Sequence, residues 1–297
     1  MLKIRPRYIV LLGIITALTG WWVQAVSVDP QRPSQSLYRV RLQAAQTGWT
    51  PDLYGRAGDL LNQMGDLRGA TAHWQAAYMD DPHRARRLAE AFITLQDWER
   101  AANVLRDMLT ADDGDQFAHF HLGMIVAASN PLQAADHLQR VASPPVRYGA
   151  AQAVLAALED EADANGASDG VRVGWALLQS DQPALAERAF RHAAAWDAGD
   201  SVALAYTALA RGMQGKDGDA SMQAALMQSP QSATVHYVHG LYLQQIGADT
   251  ASRDAFARAI QLNPQEDRFY AALAAVYTRL GLLEDAAYWL EHAGTIP

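Results

Sequence analysis

Side chains able to do chemistry are present in this sequence, but they are poorly grouped. His236 and His239 lie three apart, which puts both on one face of a helix and would suit a metal if other ligands converged. Only these two are visible where zinc takes three or four ligands, so packing is the preferred role. His119 and His121 are two apart, about 200° around a helix, and cannot chelate together from a regular one. Glu161-x-Asp163-x-Asn165-Gly166, with Asp169 further on, imitates the opening of a calcium loop. The place of the closing bidentate Glu is taken by Arg172, whose charge repels the ion, and the segment reads better as an acidic helix end before an Asn-Gly turn. Gly215-Lys216 runs into Asp217 instead of Ser or Thr and lacks the preceding glycine, so it is no phosphate loop. Gly-x-Gly-x-x-Gly, Gly-x-Ser-x-Gly and His-Glu-x-x-His are all missing. The expectation is therefore no enzyme activity, no metal, no cofactor and no small-molecule substrate.

Charge and composition limit the partners. The chain has 297 residues, half of them hydrophobic, with a formal net charge of −8 and no cysteine. The missing cysteine excludes disulfides, cysteine zinc sites, iron–sulfur clusters and a lipid-modified cysteine anchor. The acidic balance argues against nucleic acid. One dense basic cluster, His83-Arg84-Ala85-Arg86-Arg87, could take an acidic peptide or lipid headgroups, but Asp80, Asp81 and Glu90 stand ready to neutralise it, and a solvated face is preferred. Abundant Ala with sparse Gly and Pro favours packed helices, an all-α fold.

The elements that must position these residues begin with an apolar run. Residues 8–26 are 19 positions without a charge, long enough to cross a hydrocarbon core, and Lys3, Arg5 and Arg7 precede them in a short basic tail, 1–7. Charge before the span orients the amino terminus towards the cytoplasm, and Trp21 and Trp22 suit the outer headgroup zone. A cleaved secretory signal with Val23-Gln24-Ala25 at its end is the competing reading. Both place the rest outside the cytoplasm: either a single-pass protein of the bacterial cytoplasmic membrane with its amino terminus inside, or a secreted chain. Without the three leading cations, 21 basic residues face 32 acidic ones, so this exported part is more acidic than the whole.

Beyond a linker at 27–35, stiffened by Pro30 and Pro33, small residues recur at Gly58, Ala89, Gly123, Gly174, Ala205, Gly240 and Ala274, with spacings of 31, 34, 51, 31, 35 and 34. The last interval reads Tyr270, Leu273-Ala274, Tyr277, Leu280-Gly281, Ala286, Leu290, Ala293 and Pro297. The one before offers His236, His239-Gly240, Leu243, Ile246-Gly247, Phe256, Ala259 and Pro264. An early one offers Tyr54, Ala57-Gly58, Leu61, Met64-Gly65, Leu67, Ala70, Trp74, Ala77 and Pro82. On these residues the chain over roughly 51–297 resembles the tetratricopeptide repeat family, in its membrane-anchored bacterial form. The resemblance implies a right-handed solenoid of antiparallel helix pairs, about seven in all, in which small residues let the two helices approach and bulky ones fill the gap. Residues 36–145 would form a capping helix and an amino-terminal block, 167–297 a carboxy-terminal block, and the long interval between Gly123 and Gly174 would hold an extra helix in 146–166. The unit carrying Leu204-Ala205, Met222, Ala225 and Pro230 is the poorest match.

The resemblance also implies which positions line a concave groove. In the first two units they are Asp52, Asp59, Asn62, Arg86 and Glu90, a polar stretch. Further on they are Phe117, Phe120, Met124, Trp175, Tyr206, Leu209, Tyr237, Leu241 and Gln244, an aromatic and apolar one. The expected function is a membrane-tethered, non-catalytic scaffold that binds a peptide or helix of a protein partner in this groove, in envelope or membrane-complex assembly. The rival is a permanent structural subunit of an obligate membrane complex. For Phe117, Phe120 and Met124 burial beneath the extra helix is an equal alternative.

Overall fold

A computed structural model describes residues 32–77, 82–141, 145–159 and 166–293. The expected anchor at 8–26 and the core of the calcium-like segment, 161–165, lie outside the described residues. Among the described residues no helix is long and apolar enough to cross a membrane. They form sixteen helices and no strand, so the all-α expectation holds there. The chain divides into two compact units, Met1–Val104 and Leu105–Pro297.

In the first unit α1 (Pro33–Thr47) packs on α2 (Pro51–Gln63), α2 on α3 (Leu67–Ala77), and α3 on α4 (Pro82–Thr94); α5 (Trp98–Ala111) carries the chain across the boundary. Helix α1 begins at Pro33, inside the segment expected to be linker, because a proline at the first position arrives with its φ already helical. The start of α2 is fixed by Pro51 and by Thr50, whose hydroxyl accepts the Leu53 amide at 3.4 Å.

The second unit continues with α6 (Gln116–Val126), α7 (Pro131–Gln139), α8 (Pro145–Glu159), α9 (Gly166–Gln179), α10 (Pro183–Trp196), α11 (Ser201–Met213), α12 (Asp219–Gln228), α13 (Ala233–Gln245), α14 (Asp249–Leu262), α15 (Asp267–Arg279) and α16 (Leu283–Ala293). Caps start many of them: Asp115, Asn130, Asp200 and Ser232 each accept an amide of the first turn. The unpaired helix α8 packs on α6, α7 and α9 inside this unit.

Helices meet in pairs through the recurring small residues. A methyl added at Gly58 would strike the Trp74 ring, with Nε1 2.5 Å away; at Gly174 it would strike the Phe190 ring, at Gly240 it would come to 2.5 Å of Phe256, and at Gly123 to 2.7 Å of Leu138. Phe190, Phe256 and Leu138 are fully buried, each contributing about 1.5–3 kcal/mol of apolar burial. Within a pair the turns at 64–66, 95–97, 180–182, 246–248 and 280–282 have three residues each, which sends the second helix back along the first. Gly65, Gly247 and Gly281 hold positive φ in these turns, as do Gln96 (57°) and Asp181 (56°) at the equivalent places. The turn after α11 is longer, 214–218, and shifts the register so that Met222 and Ala225 are the buried residues of the short α12. That insertion is why this pair reads poorly as a repeat.

First helices of successive pairs also touch. Helix α9 packs on α11 and α11 on α13, which lays three helices side by side in one layer of the second unit.

Candidate functional site

The face of that layer carries one residue from each helix at a constant interval of 31: Trp175 on α9, Tyr206 on α11, Tyr237 on α13, then Arg268 on α15. The rings of Trp175 and Tyr206 stand 5.6 Å apart. Tyr206 stacks on the buried Phe190 at 5.1 Å, and Tyr237 lies 5.7 Å from Phe256 and 5.0 Å from Phe269. The Arg268 guanidinium covers Tyr237 at 5.3 Å, a cation–π contact. Burial pushes the Tyr206 phenol up to about 12, against a lowering by Arg268, and pushes Tyr237 up for the same reason. Both phenols therefore stay neutral near neutral pH.

Beside the ladder, Trp175, Leu178, Gln179, Leu209, Met213, Leu241, Gln244 and Gln245 enclose an open trough of about 200 Å³ between α9, α11 and α13. Four of the residues mapped from the resemblance, Trp175, Leu209, Leu241 and Gln244, therefore converge here. Trp175 is 37% exposed and Met213 36%, which leaves apolar surface on offer. Leu241 also leans on the core around Phe256, Leu273 and Val276, which fixes its position. Met213 and the glutamines Gln179 and Gln245 had no sequence signal beyond lying one turn along from the mapped positions.

Four of the residues expected in the groove are placed otherwise. Phe117, Phe120 and Met124 are 2%, 6% and 2% exposed, and Tyr206 is 6% exposed. The first three sit on α6, a helix buried from Phe117 to Met124 on every side but His121 and in contact with both α7 and α8. The unpaired α8 supplies Ala151, Val154 and Leu155 as a buried face of its own. These three belong to internal packing, the alternative held open from sequence. Tyr206 is covered because an aromatic ring, once stacked on Phe190 and flanked by Trp175, has little surface left.

In the first unit the mapped polar residues gather around a different cavity, about 530 Å³, lined by Asp59, Asn62, Gln63, Leu67, Trp74, Arg87, Glu90, Ala91 and Thr94. Asp59 accepts from the Trp74 indole and from Arg87, both at 3.0 Å. Arg86 lies off this cavity and pairs with Glu90 at 3.5 Å. Arg84 meets Asp52 at 3.7 Å, so the arginines of the basic cluster face Asp52, Asp59 and Glu90 and form no bare cationic patch. Asp80 and Asp81, expected to share this work, lie outside the described residues.

The second unit is braced by groups the sequence did not flag. Glu187, 7% exposed, accepts from Arg211 and Gln214 at 2.9 Å and from Lys216 at 3.2 Å. Burial pushes its carboxyl up, but the bonds from Gln214, Lys216 and Arg211 outweigh this and hold it below the usual range. Lys216, the cation of the failed phosphate loop, thus ties the long turn to α10. On the other side of that turn Tyr242 donates to Asp219 at 2.6 Å and accepts the Gly218 amide at 3.2 Å.

The histidines divide differently from their spacing. His119 Nε2 donates to the Asp113 carbonyl at 2.8 Å, since a carbonyl only accepts, and its Nδ1 receives His137 Nδ1–H at 3.0 Å. Burial, and then the charge His119 would carry, lower the His137 value. His236 bonds the Pro230 carbonyl at 2.9 Å and His239 is lowered by burial, both in packing roles. Among the described residues no three His, Cys, Asp or Glu side chains are grouped to hold a metal ion. Arg172, at the closing place of the calcium-like loop, donates to the Ala157 carbonyl of α8 at 3.4 Å.

No protein-family model and no curated protein matches this chain. Among solved structures it is similar to a tetratricopeptide repeat protein from Parabacteroides merdae, at 15% identity over 84% of this chain and 94% of that one, with a TM-score of 0.41. It is similar also to MamA from Desulfovibrio magneticus RS-1, at 15% identity over 82% and 97% with a TM-score of 0.26. The carboxy-terminal part of a repeat protein from Cytophaga hutchinsonii follows at 10%, 81% and 94% with a TM-score of 0.32. The small-to-bulky contacts within the chain's own helix pairs carry the repeat reading.

Proposed function

We propose that this chain is a non-catalytic protein-interaction scaffold that captures a segment of a protein partner on the α9–α11–α13 face of its second unit. The observation that carries this is the convergence of Trp175, Leu209, Leu241 and Gln244, from three different helices, on one open apolar trough. The resemblance of residues 51–297 to tetratricopeptide repeats supports the same reading. Tethering at the outer face of a bacterial cytoplasmic membrane is part of the proposal, supported by the uncharged run 8–26 behind Lys3, Arg5 and Arg7; a tether would raise the local concentration of the captured segment. Envelope or membrane-complex assembly is the setting that suits such a tethered adaptor.

The test is a gentle-detergent pull-down of the tagged full-length chain from its own membranes, beside a variant carrying Trp175→Glu and Met213→Glu. These two are the exposed apolar members of the trough, so circular dichroism should show the variant folded. Defined proteins that accompany the wild type and vanish with the variant support the reading; the same proteins persisting with the variant would overturn it. Carbonate extraction of membranes checks the tether, which predicts that deletion of 8–26 moves the chain to the soluble fraction.

One observation favours the second reading, a permanent subunit. On α16 Leu283 and Leu290, seven residues apart and so on one face, are 66% and 55% exposed on the last described helix of the second unit. A partner lost on Leu290→Glu but retained on Trp175→Glu would move the working surface there.

A further inference from the structure

Which segments could occupy the trough follows from its polar groups. None of its eight lining residues is ionisable. Arg268, the cation at the end of the aromatic ladder, is engaged over Tyr237 at 5.3 Å and with Glu266 at 3.0 Å. A charged side chain seated among Trp175, Leu209 and Leu241 would lose water and find no counter-charge, which is costly. At the edge, the side-chain amides of Gln179, Gln244 and Gln245 make no hydrogen bond among the described residues. Each carboxamide offers one carbonyl acceptor and an NH2 donor, the same pair of functions as a peptide unit. A helix has already spent its backbone groups internally, whereas an extended chain presents them.

We infer that the trough selects an uncharged, extended segment of a protein partner, with one aliphatic side chain in the cavity and the flanking backbone N–H and C=O groups paired to Gln179, Gln244 and Gln245. This rests on the proposal that the trough is the binding surface and adds what it recognises. It separates this face from sites that read a carboxylate or the stripe of an amphipathic helix. Binding of this kind is nearly indifferent to salt, because nothing in it is a charge pair.

The probe is a random phage-displayed library of peptides roughly twelve residues long, panned on the full-length chain in mild detergent and depleted on the folded Trp175→Glu, Met213→Glu variant. Expected are clones poor in Asp, Glu, Lys and Arg around a single aliphatic residue, whose affinity changes less than about twofold between about 0.05 and about 0.5 M NaCl. In a synthetic copy of such a clone, N-methylation beside the aliphatic residue should weaken binding roughly tenfold, and Gln244→Ala in the protein should weaken it several-fold, about the effect of one lost hydrogen bond. Trough-dependent clones that are acidic and salt-sensitive overturn this inference and leave the binding surface standing. So do clones with apolar residues three and four apart that tolerate N-methylation. If no enriched clone depends on Trp175 and Met213, the inference and the reading beneath it both fail.

Discussion

In the first unit the residue after the small one of each pair is Asp59 or Glu90; in the second it is never charged, being Met124, Trp175, Tyr206, Leu241 or Ala275. The scaffold under them is alike. Trp74 lies across Gly58 much as Phe190 lies across Gly174 and Phe256 across Gly240. Yet Asp59 turns its cavity into an ion-paired pocket with Arg87, while Trp175 and Leu241 make theirs an uncharged trough. The lesson is a separation of labour along one helix: the small residue sets how closely the pair packs, and its neighbour, about 100° round, sets what the exposed face can recognise.

The strongest way to break this comparison is to attack the shared contact. Gly240→Val would drive a side chain into the fully buried Phe256 and should cost about 3 kcal/mol or more. Gly58→Val against Trp74 should cost a similar amount in the first unit. Thermal unfolding followed by circular dichroism measures both; a neutral outcome at either glycine would mean that the small residue is not what holds the pair. The next effect belongs to the second unit alone. Glu187→Ala removes the acceptor of Arg211 and Lys216, and because both cations are about a third exposed and stay solvated it should cost about 1–2 kcal/mol in denaturant titrations. Because the folded Glu187 value is depressed from about 4.5, its contribution is fully present above that pH and is lost as the pH falls through the lower folded value. Glu187→Ala should therefore flatten the acid limb of the stability curve.

A milder pH effect should come from the histidine pair, at higher pH. The folded His137 value lies below 6.5, so the unfolded chain takes up the proton first, and stability falls as the pH drops below about 6.5. His137→Asn should remove that slope in melting curves taken from about pH 7 to about pH 5; an unchanged slope would point to His239, whose value is lowered by burial too. Smallest of all is the first unit's own ion pair. Arg87 and Asp59 side chains are 58% and 42% exposed, and Arg87→Gln should cost under about 1 kcal/mol, vanishing in high salt. A larger loss would mean that the charged cavity is structural and no longer a counterpart to the trough.

Much of this was legible before any coordinates. Gly58, Gly123, Gly174 and Gly240 stood out by interval alone, because a close helix approach admits nothing larger and so leaves a periodic trace. The extra helix within 146–166 was readable from the long interval between Gly123 and Gly174, and a helix is observed at Pro145–Glu159. The resemblance to the repeat family implied that Trp175, Leu209, Leu241 and Gln244 share one face, and the structure gathers them around the trough. Phe117, Phe120 and Met124 could not be told from groove residues, since whether α8 covers a face depends on where an unpaired helix docks, and no local pattern records that. Glu187 looked like any charged residue of α10 until Lys216 and Arg211, more than twenty positions away, were seen to meet it.

The sequence by itself determined the helices, their pairing and the boundary residues that start and turn them, because capping, proline, turn glycine and small-to-bulky spacing are all local chemistry. Only the tertiary structure decided which aromatic rings are spent inside and which remain outside. Tyr206 and Trp175 have the same place in successive units, but one is stacked on Phe190 and 6% exposed while the other is 37% exposed. That difference arises from which neighbours each ring finds once the helices are layered, a property of the assembled unit that no single repeat contains.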